Sequence, residues 1–249
     1  AASQGALRGD RRVMADAADQ LRRFAVSLYA APPDLPVEGF CAMLAARGIG
    51  GIGLTARAVE AIRPEALARL LRDHDLCATS LNSAGYVLHA DPAAAAAQAA
   101  LDTRLLDAAS VLAAPVNVIL GGTLHAANPG GVAPTLREAR RRVAEGLARL
   151  AERARTAGVR LALEPMHPLA LGTKGCINQI SDARALAARH EGVGLTLDLY
   201  HSWWDTDLPV AIAEAEILVA QVCGLIVPPD DTPPLRAELS AGPADLAPF

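Results

Sequence analysis

Two kinds of segment alternate along this chain. From about residue 23 onward, short apolar runs with no helical period are followed by longer stretches whose apolar side chains recur at three- and four-residue steps. The first kind reads as strand buried on both faces, the second as helix with one face on a core. The expected strands are residues 24–30 (FAVSLYA), 49–55 (IGGIGLT), 77–82, 115–120 (PVNVIL), 160–165 (RLALEP), 193–199 (VGLTLDL) and 217–223 (ILVAQVC). Helices fill the intervals. One spans 37–47 and stops at Gly48. A second starts at Pro64 with Leu67, Leu70 and Leu71 on one face, and a third runs from an Asp91 cap and Pro92 to about residue 113. Others cover 135–156 and 181–190, with a short one near 209–216.

Strands separated repeatedly by helices imply a parallel sheet with right-handed crossovers. Seven repeats favour a barrel over an open sheet, so the expected fold is α/β: a (β/α)8-type TIM barrel, incomplete, with about seven recognisable strands. Residues 224–249 are rich in Pro, Asp and Ala and offer no eighth strand. Prolines at 228, 229, 233, 234, 243 and 248 argue against a central strand there. Residues 1–22 carry charge throughout and read as a flexible tail; residues 23–249 form one barrel domain. Seven strands leave the first and last with open edges, which invite a cover. The candidates are the N-terminal tail, the proline-rich end, or a partner, and the prolines favour a homo-oligomer or hetero-complex.

Composition narrows the function. The 249 residues are 52% hydrophobic but only 3% aromatic, with a net charge of −4, which excludes nucleic-acid binding through a general basic field. The arginine-rich stretch 135–156 has an apolar stripe (Leu136, Val143, Leu147, Leu150, Ala154) and expected pairs Glu138 with Arg142 and Glu145 with Arg149, so it is a solvated helix face. Cys41, Cys77, Cys176 and Cys223 stand far apart, indicating neither a disulfide frame nor a zinc knuckle. That cysteine usage makes a reducing cytoplasm the expected compartment, and with no apolar run of membrane-spanning length no membrane partner is expected. Lys174 is the one lysine among 22 arginines; the bland reading is a loop lysine surviving a coding bias.

Three strand ends carry polar groups that a barrel would gather: Glu164, Asp198 and Gln221. Taken singly, Asp198 suits an N-cap as well as a ligand, and Gln221 suits a buried, hydrogen-bonded amide. Together they offer oxygen ligands of the kind Mn²⁺ or Mg²⁺ prefers. His201 lies three residues past Asp198, followed by Trp203 and Trp204, which could wall a sugar face.

The motifs LALEPMHP (161–168), LTLDLYHSWWDTDL (195–208) and AQVCGLIVP (220–228) resemble the sugar phosphate isomerase/epimerase superfamily, the xylose isomerase-like TIM barrels, over most of residues 23–249. The middle motif, Asp-x-x-His followed by Trp-Trp-Asp, is the most specific. The resemblance implies Glu164, Asp198 and Gln221 as metal ligands, with Glu164 also catalytic. It implies His167 and His201 at a substrate's hydroxyls and Arg236 as an anion- or hydroxyl-binding arginine; Trp203 keeps its reading as a substrate-binding wall residue. Three departures stand against it: Gly224 and Leu225 replace an acid and a Trp, Ser240-Ala241-Gly242 replaces a Gly-Asp-Gly turn, and a strand-eight Glu has no counterpart. Where relatives use two carboxylates, one removes a proton beside a carbonyl and the other returns one. Lys174 is the candidate to replace the second. The function expected is a metal-dependent isomerase, epimerase or related lyase acting on a sugar- or polyol-like small molecule. The alternative is a degenerate barrel serving as a binding or partner subunit. A nuclease of the same superfamily would need a histidine-rich zinc site and a basic groove, which six histidines and a charge of −4 do not supply.

Overall fold

Apolar runs become strands wherever both faces find cover. The computed structural model describes residues 19–230 and 232–244. Of the expected tail, residues 1–18 lie outside this range and residues 19–22 are helical. The barrel then proceeds as β1 (Ala25–Ser27), α1 (Val37–Ala45), β2 (Gly51–Thr55), α2 (Ala56–Ala61), α3 (Pro64–Asp73) and β3 (Cys77–Ala84). It continues with α4 (Pro92–Leu112), β4 (Val116–Val118), α5 (Leu136–Thr156), β5 (Leu161–Leu163), α6 (Ile180–Ala187) and β6 (Val193–Asp198). A one-turn α7 (Leu199–Ser202), α8 (Leu208–Glu214) and β7 (Ile217–Gln221) follow.

The seven strands form one parallel sheet in chain order β1 to β7, curled into an incomplete barrel. Most strands are shorter than the apolar runs that announce them, because the run's ends leave the ladder to build loops. β1 is the plainest case: the Ser27 side chain accepts the Tyr29 N–H at 3.3 Å and turns residues 28–30 into a 3₁₀ helix. Helix signals read more cleanly. Asp91 caps α4 by accepting the N–H groups of Ala93 and Ala94 at 3.0 and 3.3 Å. Helix α5 buries Ala139, Val143, Leu147, Leu150 and Ala154 and exposes most of its arginines, with Arg140 and Arg142 half-buried. The expected pairs on that face are replaced by others: Arg141 holds both Glu138 and Glu145, and Arg142 reaches back to Asn128 and the Ala127 carbonyl.

The C-terminal segment adds an element the sequence reading did not contain. Residues 224–244 are not structureless; β8 (Gly224–Ile226) and β9 (Leu235–Ala237) pair antiparallel as a hairpin separate from the barrel sheet. Gly224 belongs there, since a Cβ on it would lie 1.6 Å from the Glu238 carbonyl. Among the described residues no eighth strand joins the barrel, and β1 and β7 each have one ladder neighbour. A cavity of about 850 Å³ lies against both edges, lined by Phe24, Ala25 and Ser27 on one side and Leu218, Ala220 and Gln221 on the other. No helix among the described residues is long and apolar enough to cross a membrane.

Candidate functional site

Polar side chains interrupt the apolar strands at the carboxyl end of the sheet, and they meet there. Glu164 follows β5 directly and is 4% exposed. Its Oε2 accepts from Asn117 Nδ2 on β4 at 2.5 Å. Asn117 Oδ1 in turn accepts the hydroxyl of Thr196, on β6, at 2.7 Å. Burial raises the Glu164 pKa well above the usual carboxylate range, and the neighbouring Asp198 raises it further; the Asn117 bond and the charges of Arg236 and Lys174 oppose this.

Asp198 closes β6 and is 1% exposed. It serves as a cap, with Oδ1 accepting the Tyr200 N–H at 2.9 Å, and it also takes a guanidinium. Arg236 of β9 donates Nη2 to Oδ2 at 2.6 Å and Nη1 to Oδ1 at 3.2 Å. That guanidinium lies 4.4 Å from the Tyr200 ring centroid, and the Tyr200 hydroxyl donates to the Pro234 carbonyl at 2.7 Å. Arg236 thus binds an anion, but one supplied by the protein. Gln221 is the ladder partner of Asp198, so the two side chains leave the sheet on the same face. It is half-buried and lines the open cavity together with Arg236.

His201 is 8% exposed, mostly enclosed rather than set openly at the mouth. Its Nδ1 accepts the His167 backbone N–H at 3.1 Å. Burial lowers its pKa to about 4, so the ring is neutral at neutral pH. A nitrogen that accepts an N–H carries no proton, so the ring's proton sits on Nε2. That nitrogen faces the carboxylate, 3.8 Å from Glu164 Oε1. Ligand atoms of Glu164, Asp198 and His201 all lie within 4.8 Å of one another. The tautomer nevertheless makes His201 a donor toward the site, and a metal bond through Nε2 would require surrendering the backbone contact.

The remaining candidates spread outward. His167 is half-buried, with its ring 5.9 Å from Trp204 and 6.3 Å from Tyr200. Of the two expected wall residues, Trp203 packs against the hydrophobic core, while Trp204 stands beside His167. The helical turn that begins at Asp198 rotates consecutive tryptophans onto different faces. Lys174 is exposed, yet its charge acts on both Glu164 and His201. Its loop is pinned where Gly122 N–H donates to the Lys174 carbonyl at 2.8 Å. A Cβ on Gly121 would come within 2.2 Å of that carbonyl, which accounts for the diglycine after β4. Asn117, Thr196 and Tyr200 escaped the sequence reading. Asn117 had a visible signal, as one polar side chain inside PVNVIL.

The geometry has a counterpart in known proteins. A family model described as the xylose isomerase-like TIM barrel matches residues 41–242. No curated protein sequence matches the chain. Among solved structures, protein SMc04130 from Sinorhizobium meliloti 1021 is 32% identical with a TM-score of 0.72, covering 84% of this chain and 75% of that one. The IOLI protein, solved with a binding zinc atom, is 16% identical with a TM-score of 0.67, covering 90% of this chain and 81% of its own. The 3-keto-D-glucoside 4-epimerase YcjR from E. coli is 18% identical with a TM-score of 0.60, covering 76% and 73%. At those two lower identities the likeness is one of fold. The chain belongs to the xylose isomerase-like TIM barrel family.

Proposed function

We propose that this protein is a divalent-metal-dependent isomerase or epimerase, or a related lyase, for a small sugar- or polyol-like substrate bearing a carbonyl. The observation that supports this most is the pairing of two buried carboxylates with a neutral histidine donor at the strand ends, all within 4.8 Å. The donor set suits a hard cation: Glu164 and Asp198 supply carboxylate oxygens and Gln221 an amide oxygen, on successive strands. Mn²⁺ or Mg²⁺ bound there would polarise a substrate carbonyl and acidify the neighbouring C–H. The epimerase name of YcjR and the zinc atom of the IOLI protein agree with this reading.

The chain's own groups divide the work. Glu164, whose burial makes it a stronger base than a solvated carboxylate, accepts the proton at Oε1. His201 Nε2–H donates to a substrate oxygen beside it, and His167 holds that ring through its backbone N–H. Of the two tryptophans assigned from sequence to the apolar wall, Trp204 supplies it, together with Tyr200. Lys174 delivers the returning proton from the exposed side. A second reading, a binding or partner subunit, draws on Arg236, which engages both oxygens of Asp198. The cavity along β1 and β7 would then seat a second copy or another subunit.

One experiment separates the readings. The protein loaded with Mn²⁺ or Mg²⁺ is incubated in D₂O with a panel of ketoses and polyol-derived ketones, and NMR follows solvent deuterium entering beside the carbonyl. Exchange that disappears in Glu164→Gln supports the enzyme. A protein that binds neither metal and exchanges no proton across the panel is the partner subunit.

A further inference from the structure

We infer that Asn117 and Thr196 are positioning residues that aim Glu164, forming a buried relay that commits one carboxylate oxygen to the barrel wall and leaves the other for the site. This rests on the metal-site reading above and adds residues to it. Asn117 is 1% exposed and Thr196 is fully buried, so neither touches solvent in the described structure. Neither is needed to complete a strand, because the ladder bonds of β4 and β6 come from backbone. Polar groups in so apolar a layer cost stability unless paired, and here each is paired with the next.

The direction of the relay follows from donor and acceptor chemistry. The Thr196 hydroxyl has one proton and two acceptors in reach, Asn117 Oδ1 at 2.7 Å and the Ala162 carbonyl at 3.4 Å; the nearer takes it. With Oδ1 occupied by that proton, the Asn117 amide presents its NH₂ to Glu164. The reversed amide would set an oxygen against a Glu164 oxygen at 2.5 Å, an arrangement open only to the protonated acid; with the carboxylate ionised, as a cation ligand must be, the NH₂ faces it. Thr196 therefore fixes the amide, and the amide fixes Glu164 Oε2. Oε1, the oxygen on the His201 side, is left to take a cation or a proton. Partners of this kind, one bond removed from a ligand, typically change metal affinity about 10- to 100-fold when lost.

The test uses the full chain and Mn²⁺ alone, read by calorimetry and by electron paramagnetic resonance. Thr196→Val deletes the proton while keeping the shape, and Thr196→Ser keeps the proton in a smaller side chain. The expected result is Mn²⁺ binding weakened about tenfold or more in Thr196→Val, with a changed resonance line shape, and restored in Thr196→Ser. A merely structural threonine would lower thermal stability in Thr196→Val and leave the affinity of the folded protein unchanged; that result overturns the inference. If Thr196→Val does not fold, Thr196→Ala deletes the same proton without added bulk and is read the same way. Glu164→Gln is the control for the underlying reading. A wild-type chain that binds Mn²⁺ no better than Glu164→Gln overturns the metal site and this inference together, whereas a binding wild type with an unaltered Thr196→Val overturns the inference alone.

Discussion

The inner wall of the site and its rim both keep a carboxylate out of water, by different means. On the wall, Glu164 is held by a neutral amide, itself held by a neutral hydroxyl, all three at or within strands that share one sheet. At the rim, Asp198 is held by a guanidinium from a hairpin 38 residues further along the chain, braced on Tyr200. A neutral partner relieves little of the cost of a buried charge, so Glu164 stays ready to hold a proton. A cationic partner matches the charge directly and can be exchanged for another cation. On the proposed function, the wall carboxylate doubles as proton acceptor and the rim carboxylate is the one whose cation can be exchanged.

The sharpest test of that contrast is Arg236→Ala, which leaves Asp198 buried and unpaired. Breaking such a pair costs about 3–5 kcal/mol when both partners are buried. The Arg236 side chain is 48% exposed, so a loss of about 1–3 kcal/mol is expected here. Saturating Mn²⁺ should recover most of it if the cation takes the place of the guanidinium. Thermal unfolding with and without Mn²⁺ decides the matter: an equal loss in both would mean that Arg236 and the metal do not share Asp198.

Asn117→Ala is the matching cut on the wall. It removes a hydrogen bond to a carboxylate, with an expected loss of about 1–3 kcal/mol. Mn²⁺ should not repair this loss, because the relay's aim is gone along with its bond. Recovery by Mn²⁺ equal to that of Arg236→Ala would erase the distinction between wall and rim.

The joint between the two regions is His201. Ring ¹⁵N shifts at neutral pH are expected to show the Nε2–H tautomer, with Nδ1 unprotonated. Its pKa is lowered from 6.5 to about 4 by burial. A depressed value means that its contribution to stability is complete above about 6.5 and is lost as pH falls from there toward 4. A ring carrying its proton on Nδ1 would remove the argument that His201 is a donor rather than a ligand.

How much of this was legible in the sequence follows the same division. Runs such as VGLTLDL and caps such as Asp91 are local, and period, capping and apolar content place β6 and α4 within a residue or two. Strand-end chemistry was legible too, since Glu164 and Asp198 each follow an apolar run directly. The hairpin was not: proline at 228, 229, 233 and 234 argues against a barrel strand, but prolines do not forbid a short antiparallel pair with the turn between them. Nor was the commitment of Arg236 to Asp198, because pairing across 38 residues leaves no trace in either local pattern. Trp203 and Trp204 could not be told apart until the turn at Asp198 set their faces. Thr196 was hidden because threonine is an ordinary strand residue.

Lys174 carries the smallest expected effect on stability and bears most directly on the rim. It is exposed and its backbone is pinned by Gly122, so the loop holds its place without the amine. The amine's charge acts on both Glu164 and His201 from the exposed loop. Lys174→Arg keeps the charge and replaces the amine with a guanidinium that does not give up its proton. Unfolding temperature should not move, Mn²⁺ binding should hold, and first-step deuterium exchange catalysed by Glu164 should continue. Formation of the inverted product should fall, because the returning proton has lost its source. Product formation equal to wild type would take Lys174 out of the proton path and leave His201, which faces Glu164 Oε1, as the candidate donor.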